Sequence, residues 1–284
     1  RQQPPEPPPE EGTTVLADRA TTAADLTGTA SAVPAPRRAD LAVQVVILAA
    51  GMGTRLGRPW PKPLTPLHDG RSILQRQLDG LRSVLGPAVD VTVVVGFEAE
   101  RVMRAVPDVR FAYNPDYRVT NTSQSLLRAL RTTRDGGVLW LNGDVVFDPA
   151  VLETALPALR ADESFVCVDT STVADEEVKY TVDAEGWIDE LSKTVVGGLG
   201  EAVGINHVSA ADKPVLIEHL ATCAEQDYFE RGIETAIAGA GLRVRPLDIS
   251  QHAAVEVDFE ADLERANALF AERGHLHPVA DGSA

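Results

Sequence analysis

The twenty residues from Val45 to Leu64 constrain this chain most. An apolar run, Val45-Val46-Ile47-Leu48-Ala49-Ala50, breaks into Gly51-Met52-Gly53-Thr54-Arg55, and after Leu56-Gly57-Arg58-Pro59-Trp60 comes Pro61-Lys62-Pro63-Leu64. The run has the length of a buried strand. The glycines let backbone N–H groups approach an anion with no Cβ in the way. Arg55 and Lys62 add positive charge of the kind that grips phosphate oxygens. The spacing excludes two common phosphate loops. No third glycine stands where a dinucleotide fingerprint needs one, and no Gly-Lys-Ser/Thr closes a P-loop. The joint spacing of these constrained residues points to a strand feeding a triphosphate-binding loop; the plainer alternative is a glycine-rich turn beside two surface cations.

Further motifs follow in order. Asn142-Gly143-Asp144 ends the apolar run Val138-Leu139-Trp140-Leu141, and Val255-Glu256-Val257-Asp258 precedes Glu260-Ala261-Asp262-Leu263 near the end. Between them lie Asn114-x-x-Tyr117, Asn121-x-x-x-Ser125-Leu126, Glu177-Val178-Lys179, Ser192-Lys193 and Glu201-Ala202-Val203-Gly204-Ile205. The first string resembles the opening motif of the nucleotidyltransferases that make sugar nucleotides, L-x-x-G-x-G-T-R followed by P-K-P. Asn142-Gly143-Asp144 resembles the same family's second strand-end motif, whose aspartate holds Mg²⁺, and the other motifs resemble the branch that makes CDP-choline and related cytidylyl products. The resemblance covers most of residues 43–270. It implies an α/β fold: a Rossmann-like, mostly parallel sheet of the nucleotide-diphospho-sugar transferase type, with a strand-rich acceptor-binding half.

The periodicity agrees with α/β. Strands are expected near 44–49, 90–96, 109–112 and 138–143, with helices near 72–85, 98–105, 121–133 and 149–160 between and after them. The next part is strand-rich, near 164–169, 178–183, 187–192 and 202–208. Helices near 211–224 and 228–239, a strand near 242–248 and a helix near 259–272 complete a domain expected over 41–272. Residues 1–40 hold seven of the nineteen prolines and few large apolar side chains. They are expected to form a disordered arm, with a brief helix at 14–27, and residues 273–284 a flexible tail.

Composition narrows the partners. The net charge is −16, which opposes nucleic acid and anionic membranes, so an anionic substrate needs a local cationic pocket and a metal. No run approaches the ~20 apolar residues of a membrane span. Cys167 and Cys223 suggest no disulfide framework, which fits a reducing, cytoplasmic setting. A homodimer is compatible with this reading. The chain opens on Arg1, as a processed chain or a piece excised from a longer protein would.

Candidate site residues follow. The chemistry expected is attack by a phosphate or phosphonate oxygen on the α-phosphorus of CTP or another NTP, releasing pyrophosphate. The attacking oxygen is already anionic, so catalysis reduces to positioning and charge stabilisation. Arg55 is expected at the β- and γ-phosphates, and Lys62 at the α-phosphate and the incoming group. Leu48, Ala50, Gly51, Gly53 and Thr54 belong to the nucleotide-binding loop. Gly96 resembles the family's contact to the pyrimidine. Gln77, Asn121 and Ser125 can bond a base edge, although Asn121 suits a helix N-cap equally. Asp144, Glu256 and Asp258 are the candidate ligands for Mg²⁺; Asp258 also suits an N-cap for the last helix. Lys179, Lys193, Glu201 and Tyr228 are the candidate acceptor contacts, with Asp227 and Glu230 as further groups for a cationic head. The low aromatic content favours a small aminoalkyl or hydroxyalkyl phosphonate over a caged choline. Two other readings stay open: a sugar-1-phosphate nucleotidyltransferase using another base, and a non-catalytic nucleotide sensor.

Overall fold

A computed structural model describes residues 43–274 apart from 172 and 175. The expected arm at 1–40, its helix at 14–27 and the tail beyond 274 lie outside the described residues.

Strand β1 (Gln44–Ala49) is buried along its whole length. It is flanked on both sides by parallel partners, β2 (Asp90–Val95) and β4 (Val138–Asn142), and a strand so enclosed has no wet face. That is why its sequence is an unbroken apolar run. Beyond β2 lies β3 (Arg110–Tyr113), also parallel. On the other side β4 pairs antiparallel with β9 (Glu201–Val208), β9 antiparallel with β6 (Phe165–Asp169), and β6 parallel with β10 (Arg245–Asp248). The antiparallel hairpin β7 (Lys179–Val182) and β8 (Ile188–Ser192) joins at β9. The strand-rich half therefore extends the main sheet, to nine strands among the described residues.

Helices cover both faces. Val45, Ile47 and Ala49 of β1 point into one core with α1 (Ile73–Leu85), α2 (Ala99–Ala105) and α4 (Ala150–Arg160). Val46, Leu48 and Ala50 point into the other with α3 (Thr122–Leu130), α5 (Lys213–Thr222) and α6 (Phe229–Ala240). The two-residue alternation of a strand produces this division. Helix α1 starts at a capping box in which Ser72 and Gln75 bond each other's backbone N–H. Helix α3 ends at Leu130, short of the expected 133.

The reading of periodicity overlooked one small sheet: β5 (Val145–Phe147) paired antiparallel with β11 (Ala254–Glu256). Three-residue strands carry too little pattern to register. This sheet and α7 (Glu260–Gly274) pack on a third apolar cluster that includes Leu56, Leu67, Val146, Val257 and Leu263. Helix α7 thereby lies against the loop that follows β1. No helix among the described residues is long and apolar enough to cross a membrane.

Candidate active site

From β1 the chain runs outward through β2 to β3, then crosses back to β4 on β1's other side. Adjacent β1 and β4 thus send their following loops in opposite directions, which opens a crevice at their carboxyl ends. The Gly51–Lys62 loop leaves one strand there and Gly143-Asp144 leaves the other. β11, paired with β5 just beyond Asp144, delivers Glu256 and Asp258 to the same place; Val257 N donates to Asp144 O at 3.0 Å.

The loop after β1 folds back tightly. Gly53 has φ +57°, and a Cβ there would stand 2.6 Å from Lys62 Cβ, so only glycine lets the two limbs close. Between Pro61 and Pro63 a single 3₁₀ turn, Lys62–Leu64, fixes the lysine, whose side chain is 9% exposed. Its Nζ donates to Asp144 Oδ2 at 2.7 Å and to Asp258 Oδ1 at 2.5 Å. Arg55 donates to the other oxygen of Asp258 at 2.8 Å. Burial works to lower the Lys62 pKa, but the two carboxylates outweigh it and hold the ammonium above its usual range. Asp258 is pulled below its ordinary value, the Lys62 and Arg55 contacts overcoming its burial. Glu256 is driven well above the carboxylate range, first by Asp144, then by burial and Asp258.

One oxygen each from Asp144, Glu256 and Asp258 lies within 4.8 Å of the others, a group able to hold a metal ion. Asp144 Oδ1 is buried with no hydrogen-bond partner. Three crowded carboxylates, one with an orphaned oxygen, are hard donors that fit Mg²⁺. Asp258 directs both carboxylate oxygens at cations; Asp262 instead accepts from the N–H groups of Asp258 and Phe259 at the start of α7.

The cleft holds about 280 Å³, toward the small end for ligand sites. It continues past Arg55, Lys193, Glu256 and Asp258 into a second compartment of about 360 Å³. Leu48, Gly51, Gly53, Thr54, Arg55 and Lys62 line the first compartment, as do Asn121, Asp144, Lys193, Tyr228, Glu256 and Asp258. Asn121 caps α3, accepting from Thr122 N at 2.8 Å, and faces the cleft as well. Lys193 Nζ stands 5.3 Å over the Tyr228 ring. Glu201 lines the second compartment and accepts from the Ala174 N–H.

Six expected contacts are not among the residues lining the cleft, Asp227 among them, whose Oδ2 accepts from Ala224 N at 2.8 Å. Ala50 is buried, its carbonyl accepting from Phe97 N at 3.0 Å. Gln77 is 1% exposed and donates to the carbonyls of Asn142 and Val145, both at 2.8 Å, so it stitches β4 to β5. Ser125 accepts from Asn114 Nδ2 at 3.1 Å inside the protein. Gly96 is filled against by Tyr117, which a Cβ would meet at 2.6 Å. Lys179 lies on β7 opposite Glu201. Polar capacity in the sequence cannot tell a buried stitch from a ligand contact. Asn142, Gly204 and Phe229 line the cleft and were not singled out for it. Asn142 could have been, from its place in Asn142-Gly143-Asp144, while Phe229 gave no signal.

A crevice at the strand ends in which Arg55 and Lys62 interleave with Asp144, Glu256 and Asp258 has the fixed charges that nucleotidyl transfer calls for. Residues 45–238 match the MobA-like NTP transferase domain, and the chain belongs to that family of transferase enzymes. It is 32% identical over 253 residues to the CMP-5'-(3-aminopropyl)phosphonate synthase of Streptomyces rubellomurinus, a match covering 80% of this chain and 39% of that protein. The bifunctional protein GlmU of Cupriavidus necator is 40% identical over 119 residues, 41% of this chain and 25% of that one. The chain thus spans well under half the length of these relatives. Among solved structures, the inositol-1-phosphate CTP transferase of T. maritima superposes with a TM-score of 0.67 at 17% identity, covering 85% of this chain and 97% of that one. The CTP:phosphocholine cytidylyltransferase of Streptococcus pneumoniae gives 0.65 at 17% identity, covering 80% and 99%. The likeness to these two shows the shared mixed α/β fold with its mostly parallel sheet.

Proposed function

We propose that this chain transfers a cytidylyl group from CTP to a small phosphate or phosphonate, with Mg²⁺, releasing pyrophosphate. The observation that carries this reading is Lys62 gripped between Asp144 and Asp258 in the wall of the first compartment of the cleft. The similarity to an aminopropylphosphonate CMP synthase supports the choice of nucleotide and acceptor.

In the proposed reaction an anionic oxygen of the acceptor attacks the α-phosphorus. The bond to the β-phosphate bridging oxygen breaks, and pyrophosphate leaves with that electron pair. Gly51, Gly53 and Thr54 border the triphosphate. Lys62 stabilises charge building at the α-phosphate, and Arg55 faces the β- and γ-phosphates. Asp144 and Asp258, helped by Glu256, would hold Mg²⁺, which supplies the positive charge that two approaching anions require. Lys193, with Tyr228 beneath it and Glu201 beyond, faces the acceptor. The free thiols Cys167 and Cys223 suit a reducing cytoplasm.

A sugar-1-phosphate acceptor with another NTP is the second reading, favoured by the GlmU similarity. A pyrophosphate-release screen of four NTPs against phosphocholine, aminoalkyl phosphonates and sugar 1-phosphates separates the two. Release with CTP and a small phosphonate or phosphate is expected. Release only with a sugar phosphate supports the second reading, and none with any pair, alongside NTP binding, points to a sensor.

A further inference from the structure

Glu230, like Glu177, lies on the cleft wall and is left unused by the proposed chemistry, but it is the more deeply buried of the two. It stands in the first turn of α6 and is 8% exposed, yet it faces the cleft. Its Oε2 is buried with no hydrogen-bond partner. The position is rigidly set: Phe229 N donates to Thr122 Oγ1 at 3.1 Å, and the Phe229 ring packs edge-on against Trp140 at 5.6 Å. A buried carboxylate oxygen without a donor is costly. Glu230 lines the cleft, so a donor entering there arrives beside this carboxyl. The nearest cation, Lys193, is engaged over the face of Tyr228. Burial raises the Glu230 carboxyl to about 7, with its own backbone N–H and Lys193 opposing. A cationic donor arriving beside it would favour the ionised form.

Resting on the cytidylyltransferase reading, we propose that Glu230 recognises the amino group of the acceptor, so that the acceptor is a phosphonate or phosphate carrying an N–H-bearing ammonium. Lys193 then faces the acidic end of the same molecule. The argument discriminates between amines. A primary ammonium brings both charge and N–H donors to the Glu230 carboxyl. A quaternary ammonium brings charge alone and leaves the carboxyl without a donor, and a hydroxyl brings a donor without the charge. Sites built around a buried hydrogen-bonding group reject analogues that cannot complete it more strongly than apolar pockets reject a missing methylene.

The test compares 3-aminopropylphosphonate, its N,N,N-trimethyl derivative and 3-hydroxypropylphosphonate as acceptors for the full chain with CTP and Mg²⁺. The wild type should favour the primary amine by roughly tenfold or more in kcat/KM over both analogues. Glu230→Gln should shrink that preference to within about threefold, chiefly by raising KM for the amine. Calorimetric titration of the same three acceptors, with and without the substitution, gives a readout that needs no turnover. Equal use or binding of the primary and trimethyl compounds by the wild type overturns the proposal, as does a preference that survives in Glu230→Gln. If no acceptor yields pyrophosphate yet binding favours the primary amine and loses that preference in Glu230→Gln, the Glu230 assignment stands and the cytidylyltransferase reading falls.

Discussion

Lys62 donates through Nζ to Asp144 Oδ2 at 2.7 Å, although the two residues lie 82 positions apart. The contact exists because β1 and β4 are neighbours whose following loops begin at the same edge of the sheet. With Asp258 it forms a self-neutralised knot in which the lysine occupies the middle of the carboxylates that would hold a metal. Replacing Lys62 by Ala should lower kcat by about 10²–10³, the usual effect of losing one preorganised stabilising group. The same variant leaves three crowded carboxylates without their lysine. Its thermal midpoint should therefore rise more with added Mg²⁺ than the wild type's. Near-normal turnover in a Lys62→Ala assay would remove the lysine from the chemistry.

Asp258→Ala should raise the Mg²⁺ concentration needed for half-maximal rate, by roughly tenfold. Its backbone N–H is bonded by Asp262, so the start of α7 keeps that contact. A metal titration of the rate, set beside a melting curve, decides the matter. A lower melting point with unchanged metal dependence would assign Asp258 a purely structural role.

Gly96→Ala should destabilise the fold by about 1–3 kcal/mol, because the new methyl would meet Tyr117 Cβ at 2.6 Å and the Ala50 carbonyl at 2.7 Å. Urea unfolding measures this. A variant as stable as the wild type but weaker in CTP binding would return Gly96 to the nucleotide, as the resemblance implies.

His207 gives a pH dependence of stability. It is 2% exposed on β9, stacked on Phe165, with Nδ1 donating to the Glu163 carbonyl at 2.8 Å. Burial holds its pKa below the ordinary value of about 6.5, against the Glu163 contact and nearby Asp162 and Asp212. As pH falls through that ordinary value the unfolded chain takes up a proton that the folded chain refuses, so stability drops. The drop ends once the pH passes below the folded pKa, and above about pH 7 the group contributes no slope. Denaturation at pH 8 and pH 5.5 should show a smaller difference for His207→Gln than for the wild type. An equal difference would clear His207 of the effect.

The architecture was largely legible because β1, β4 and the helices between strands are long and strongly patterned. Val45–Ala50 could only be an enclosed strand, and Ser72 announced α1. β5 and β11 escaped notice because three residues hold no period. The cleft itself was legible where chemistry demands unusual residues together: two cations in a glycine–proline loop, and aspartates after strands. It was illegible where ordinary polar residues were in question. Gln77 and Ser125 have the same donors and acceptors whether they meet a base or a carbonyl, and only the fold shows that their partners are Val145 and Asn114. Glu230 could be named as an available carboxylate, but its orphaned oxygen is a property of packing.

The central claim is that this cleft joins a nucleotide's α-phosphate to a small anionic acceptor. Phosphorus-31 NMR of the full chain with CTP, Mg²⁺ and 3-aminopropylphosphonate tests it in one tube. The account predicts free pyrophosphate together with a new coupled pair of phosphorus signals from a phosphonate–phosphate anhydride. CTP and phosphonate signals that stay unchanged beside folded protein, with phosphocholine and sugar 1-phosphates equally inert, would contradict it.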